Sequence, residues 1–177
     1  MADNVDKIGK FVRNIPDFPK PGIQFKDITP LLASPSGFKL ALDAMMAQVP
    51  DDIGVVAGVE SRGFIFGVPL AMALGVGFVP VRKPGKLPGP TYEESFDLEY
   101  GSSVLSIHQD ALKPGQKVLL VDDLLASGGT LIAAANLVRR ANAVPAHVSV
   151  LLELSAQGGR AQLAKAGLTS VSSVLAY

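Results

Sequence analysis

Apolar and polar positions alternate along this chain in two rhythms. Val5 to Ile15 spaces its apolar residues at helical intervals and predicts an amphipathic helix. The next stretch, IPDFPKPGIQFKDITPLL, carries Pro16, Pro19, Pro21 and Pro30. Proline fixes φ and donates no backbone hydrogen bond, so a loop or hood-like cover is expected there. Ser36 reads as the N-cap of a helix reaching about Val49. From there strands and helices alternate. IGVVAGV (Ile53–Val59) predicts a buried strand, and FIFGVPLAMAL predicts a helix ending near Gly75. Gly77–Lys83 and Lys117–Asp123 predict two more strands. Gly128 to Ala141 predicts a helix with Leu131, Ala134, Ala135 and Val138 on one face. His147–Leu154 predicts a fourth strand, Gly159–Ala166 a short helix and Val171–Leu175 a last strand.

Continuous apolar strands separated by helices predict an α/β fold, with a mainly parallel sheet covered on both faces. Ligands in such sheets sit at the carboxyl ends of the strands. The rhythm breaks between Arg82 and Val104. KPGKLPGPTYEESFDLEYGSS holds three prolines, three glycines and mixed charge. A long irregular segment between two core elements is expected to be a functional lid, with a disordered linker as the alternative.

Composition narrows the field of functions. The 177 residues suit one domain, 1–177, subdivided into an N-terminal helix and hood (1–35), a core and a flexible lid loop (83–103). Sixteen basic residues balance sixteen acidic ones, so nothing suggests a nucleic-acid partner. There is no cysteine, which excludes disulfides and thiolate metal sites. The charged start MADNVDKIGKF lacks the apolar core of a signal peptide, and no apolar run suits a membrane span. A cytoplasmic protein with no membrane partner is expected.

The chemistry concentrates in VLLVDDLLASGGT (Val118–Thr130). Asp122 and Asp123 end a predicted strand at the ligand edge. Ala126, Ser127, Gly128, Gly129 and Thr130 then open a helix. A helix N-terminus offers unpaired N–H groups and partial positive charge, which suits phosphate. Glycines let the backbone approach, and the two hydroxyls add donors. Two carboxylates beside a phosphate make sense if they accept bonds from hydroxyls or hold Mg²⁺ through water. A ribose phosphate meets all these needs. Other phosphate motifs fail: Gly9-Lys10 and Gly85-Lys86 complete no Walker A loop, and Pro80 occupies the third-glycine place after Gly75 and Gly77.

These 13 residues resemble the phosphoribosyl-pyrophosphate (PRPP) signature of the type I phosphoribosyltransferases. FPKPGIQFKDITPLL, GVESRGFIFG, RKPGKLPGPTY, LEYG and LLEL resemble the adenine phosphoribosyltransferases, in the same order. The likeness runs from Phe18 to about Arg160. Ser127 stands where threonine is more usual, and keeps the hydroxyl. Lys26 stands where arginine is common, and Gln24 where an apolar residue is common.

The resemblance implies transfer of the phosphoribosyl group of PRPP to adenine, giving AMP and diphosphate in purine salvage. It implies Mg²⁺ held mainly through PRPP and water, with no metal-ligand cluster of protein residues, and a homodimer. Asp122 and Asp123 would hold the ribose hydroxyls, and Ala126 to Thr130 the 5′-phosphate. Glu60, Ser61 and Arg62 fall where the family places its pyrophosphate loop, which often carries a cis non-proline peptide. Arg82, Lys83 and Lys86 suit a polyphosphate, or form a solvated basic turn. Glu99 and Tyr100 would close the lid, with Glu99 catalytic. Gln24, Phe25, Lys26 and Leu154 would meet adenine. Phe25 and Leu154 fit either a sandwich around a flat base or the core.

Two other readings compete. Ser61, Asp122 and His147 fall in hydrolase triad order, but Val59 stands where a nucleophile elbow needs glycine. His147 and His108 are expected at the surface. The second alternative is a PRPP- or purine-sensing regulator without turnover. Within the enzyme class, guanine, hypoxanthine or xanthine could replace adenine.

Overall fold

The computed structural model describes residues 2–97 and 102–177. The chain forms two compact units, divided between Ala47 and Gln48.

The smaller unit opens with α1 (Ala2–Gly9). The helix predicted to reach Ile15 stops there, because Arg13–Pro16 is a strand, β1, paired antiparallel with β2 (Gln24–Asp27). Arg13 and Asp27 face each other in register and form an ion pair at 2.6 Å. Two long-range bonds thus outweigh a local helical pattern. Asp27 also accepts from Thr29 N–H, ahead of α2 (Thr29–Ala33). Next comes α3 (Pro35–Met46), whose N-cap is Ser34 rather than the expected Ser36. Ser34 is extended and accepts from Gly37 N–H at 3.1 Å, while Pro35 takes the first helical position, where no N–H is needed.

The larger unit is built on five parallel strands. They are β3 (Val55–Val59), β4 (Gly77–Val81), β7 (Lys117–Leu125), β8 (Val144–Glu153) and β9 (Val171–Ala176), in spatial order β4-β3-β7-β8-β9. Between β3 and β4 runs α4 (Arg62–Leu74); between β7 and β8 runs α5 (Gly129–Arg140); α6 (Gly159–Lys165) precedes β9. Alternate residues divide between the two sheet faces. Val55, Ala57, Val59, Leu120 and Val148 pack with the apolar face of α5. The predicted stripe Leu131, Ala134, Ala135 and Val138 is fully buried. Phe66 and Leu70 of α4 are buried too, and each contributes about 1.5–3 kcal/mol by leaving water.

The segment expected to lack regular structure holds β5 (Thr91–Asp97) paired antiparallel with β6 (Ser102–His108). Its signal is a period of two that mixed charge obscures. Tyr92 and Phe96 pack on the core, and Glu94 between them accepts from Asn136 of α5 at 2.8 Å. Arg140 lies 5.2 Å from the centre of the Tyr92 ring. His147 is a further correction: it lies within β8 and is 6% exposed. Its ring nitrogens sit 2.7 and 2.8 Å from the hydroxyls of Ser170 and Ser172. Burial keeps its pKa below the ordinary histidine value. Among the described residues, no helix is long and apolar enough to cross a membrane.

Candidate active site

Strand order locates the site before any side chain is considered. From β3 the chain moves outward to β4, and from β7 it moves the opposite way to β8. The crevice at the carboxyl ends of β3 and β7 is therefore the switch point where such sheets bind ligands.

Asp122 and Asp123 stand there on β7, but they do not end it. The strand runs two residues further, to Leu125. The leucine pair continues the ladder, with Leu124 opposite Leu152 and Leu125 opposite Glu153. Asp123 is 4% exposed, and its N–H donates to Asp122 Oδ1 at 2.9 Å. Burial pushes the Asp122 carboxyl well above the ordinary range, and the neighbouring Asp123 charge adds to that. Burial raises Asp123 as well, against the pull of Arg62. Arg62 Nη1 lies 3.1 Å from Asp123 Oδ2.

Ala126 and Ser127 form the turn after the strand, and Gly128 sits at the N-cap of α5 with φ +91°. A side chain there would be strained. Gly129 and Thr130 begin the helix, and no side chain caps this end. Its first N–H groups therefore face an anion-sized space. A cavity of about 190 Å³ is lined by Arg62, Asp122, Asp123, Ser127, Gly128 and Thr130. The residues of VLLVDDLLASGGT and Arg62, distant in sequence, thus meet around one hollow.

Arg62 opens α4, directly after the turn in which the Glu60–Ser61 peptide is cis. Gly63 makes the approach possible, because a Cβ on it would lie 2.6 Å from Val121 O. Glu60 itself faces the basic segment: its Oε2 accepts from Arg82 Nε at 3.0 Å and from Lys83 N–H at 3.1 Å. Burial pushes Glu60 up, but these donors hold its pKa below the ordinary value. Arg82 also donates to Lys86 O at 3.1 Å and is pinned to Ser106 of β6 by two backbone bonds. The basic segment is therefore an ordered element bonded to the turn after β3.

In the smaller unit, Gln24, Phe25 and Lys26 lie on β2. Phe25 meets Phe18 edge-on at 5.1 Å, and Lys26 Nζ donates to Asn14 Oδ1. Leu154 follows β8 in the larger unit, with its N–H donating to Leu125 O at 2.9 Å. Glu99 and Tyr100 lie outside the described residues. The hydrolase arrangement fails, because both ring nitrogens of His147 are engaged by Ser170 and Ser172. The pairing of Glu153 with Arg160 carries no motif in the sequence. Arg160 forks onto the carboxylate of Glu153, and Ser173 adds a third donor at 2.8 Å. An acid at the end of an apolar strand was the available signal.

Comparison with known proteins identifies the family. The phosphoribosyl transferase domain family matches residues 33–173. The adenine phosphoribosyltransferase of Cutibacterium acnes is 55% identical over 175 residues, covering 99% of each chain. The crystal structure of adenine phosphoribosyltransferase from Rhodothermus marinus is similar with TM-score 0.92 and 45% identity, covering 100% of both chains. That of the Saccharomyces cerevisiae enzyme, complexed with an imino-altritol bisphosphate and adenine, is similar with TM-score 0.90 and 37% identity over 99% of this chain and 100% of that one. This chain belongs to the adenine phosphoribosyltransferases of the phosphoribosyl transferase domain family.

Proposed function

We propose that this chain salvages adenine, transferring the phosphoribosyl group of PRPP to N9 and releasing AMP and diphosphate. The observation that carries the reading is the hollow at the switch point, where two acids, a forked cation and a helix N-terminus converge. Asp122 and Asp123 accept bonds from the ribose 2′ and 3′ hydroxyls. The Ala126–Thr130 backbone and hydroxyls hold the 5′-phosphate. Arg62, with Ser61 beside it, and the cations Arg82, Lys83 and Lys86 answer the pyrophosphate. Glu60 contributes by orienting Arg82. On the smaller unit, Phe25 offers an aromatic face to the base, flanked by Gln24 and Lys26. Leu154 is a further base contact. Glu99 and Tyr100 belong to the lid, with Glu99 handling the ring proton.

The electron pair of the C1′–oxygen bond leaves with diphosphate as N9 bonds to C1′. Positioning and charge neutralisation do most of the work. Among the described residues, no group of three or more His, Asp or Glu could hold a metal ion. The site's acids are nonetheless the hard oxygen donors that Mg²⁺ takes, so it fits a site shared with substrate oxygens and water. Bound there, Mg²⁺ would neutralise charge on the leaving pyrophosphate.

We also place the protein in the cytoplasm, which its lack of cysteine permits, and read it as a homodimer. Ile65, Val68 and Met72 stand exposed along one stripe of α4, Met72 at 78%, and a second copy would cover them. The deciding experiment is a spectrophotometric assay with PRPP and Mg²⁺, run with adenine, guanine, hypoxanthine and xanthine in parallel. Turnover of adenine alone is expected. Turnover of another purine would overturn the base assignment, and silence with all four would overturn the enzymatic reading.

A further inference from the structure

The phosphate loop has a backing that neither its own residues nor the substrate chemistry explains. Gly159 is buried at the start of α6. A Cβ on it would lie 2.1 Å from Ala126 O and 2.8 Å from Leu125 Cδ1. In return, the Gly159 carbonyl oxygen lies 3.1 Å from where a Cβ on Gly128 would stand, and its Cα 3.5 Å. The two backbones therefore touch on both sides of Ser127, with no side chain between them.

What keeps α6 pressed there is the next residue. Arg160 donates through Nε to Glu153 Oε1 at 3.0 Å and through Nη2 to Oε2. Its Nη1 donates to Val171 O at 2.9 Å, and Ser173 Oγ donates to Glu153 Oε2 at 2.8 Å. Glu153 ends β8 directly opposite Leu125, the last residue of β7 before the loop. The fork thus ties α6 to β8, which adjoins the strand from which the loop springs, and to β9 beyond it. Arg160 is half exposed and Glu153 is buried, so the pair is anchored on the acid side.

We propose that Gly159 and the Arg160–Glu153–Ser173 fork position the Ala126–Thr130 backbone for the 5′-phosphate. This rests on reading that loop as the phosphate cradle. None of these residues touches substrate; they are positioning residues. Backbone donors cannot change rotamer to follow a displaced phosphate, so the loop depends on what lies behind it. A misplacement of about 1 Å in such a site costs on the order of a hundredfold in rate.

The test compares AMP with adenosine by calorimetric titration, because the ratio of their dissociation constants isolates the phosphate. It uses the unmodified protein, Gly159→Ala, and the paired variant Glu153→Gln with Arg160→Met, which removes the fork without stranding a buried charge. In Gly159→Ala the ratio is expected to fall on the order of tenfold while adenosine affinity holds. The paired variant falls less, and Arg160→Lys, which keeps the charge but not the fork, falls least. A merely structural role would lower the thermal midpoint and weaken both ligands alike. If Gly159→Ala does not fold, the paired variant carries the test. Folded variants that keep the unmodified ratio would overturn the proposal. An unmodified protein that does not discriminate AMP from adenosine would overturn the loop assignment, and this proposal with it.

Discussion

Two neighbouring strands carry acids toward their carboxyl ends that are treated in opposite ways. On β8, Glu153 receives a forked guanidinium and a serine hydroxyl, and hydrogen bonding from Arg160 holds its pKa below the ordinary value. On β7, Asp122 and Asp123 share a single arginine, and burial raises both. The two sites lie on one parallel ladder, in which Asp122 is opposite Val150 and Glu153 is opposite Leu125. A buried acid whose bonds are complete inside the protein stabilises the fold. A buried acid whose pKa is raised by burial costs stability, and bonds from the ribose hydroxyls proposed above would offset that cost.

The contrast can be broken most sharply at Asp123. Asp123→Asn is expected to lower kcat/KM for PRPP roughly a hundredfold, the scale of charge-assisted hydrogen bonds lost to a substrate. Its thermal midpoint should hold or rise, because a destabilising charge has gone. A steady-state assay beside a melting curve reads both, and a large loss of stability would erase the contrast. Glu153→Ala should do the reverse to stability. About 1–2 kcal/mol is expected to be lost in urea unfolding, less than for a fully buried pair because Arg160 can turn to water.

A smaller effect lies in the pH dependence of stability. Asp122 and Asp123 have folded-state pKa values above their unfolded ones. Their contribution is therefore fully present below the unfolded value and lost as pH rises through the raised folded values. Glu153 is lowered, so its contribution is present above the unfolded value and lost as pH falls through the folded one. Melting temperature against pH should show Asp122→Asn removing the decline on the rising side, and Glu153→Gln removing the decline on the acid side. Identical profiles for the two variants would contradict the assigned directions. The smallest effect is expected at Ser127. Ser127→Thr should change KM for PRPP by less than about twofold, because the hydroxyl is retained.

Much of this was legible in order along the chain. The apolar runs at Val55–Val59 and Val118–Val121 are buried throughout, so their pattern alone identified strands. The helix face of α5 followed from spacing, and the glycine-led start of that helix from its run of small residues. Where the reading failed, a distant partner overrode a local preference. Arg13 left its helix for Asp27, and Tyr92 and Phe96 drew a proline-flanked, charged segment into a hairpin against α5. Ser170 and Ser172 gave His147 a buried berth that its polarity did not announce.

By itself the sequence determined the alternation of strands and helices, the parallel sheet and the small-residue turn that opens α5. Each of these depends on spacing within a few positions, where side-chain period and backbone propensity act. Tertiary structure alone decided that Arg62 would meet Asp123, that Arg160 would lower the Glu153 pKa while burial raised that of Asp122, and that Gly159 would press on Ala126. Those outcomes depend on which groups share a dry space after the sheet has formed. Burial and charge pairing are properties of that space, and the chain acquires them only when strands far apart in sequence lie side by side.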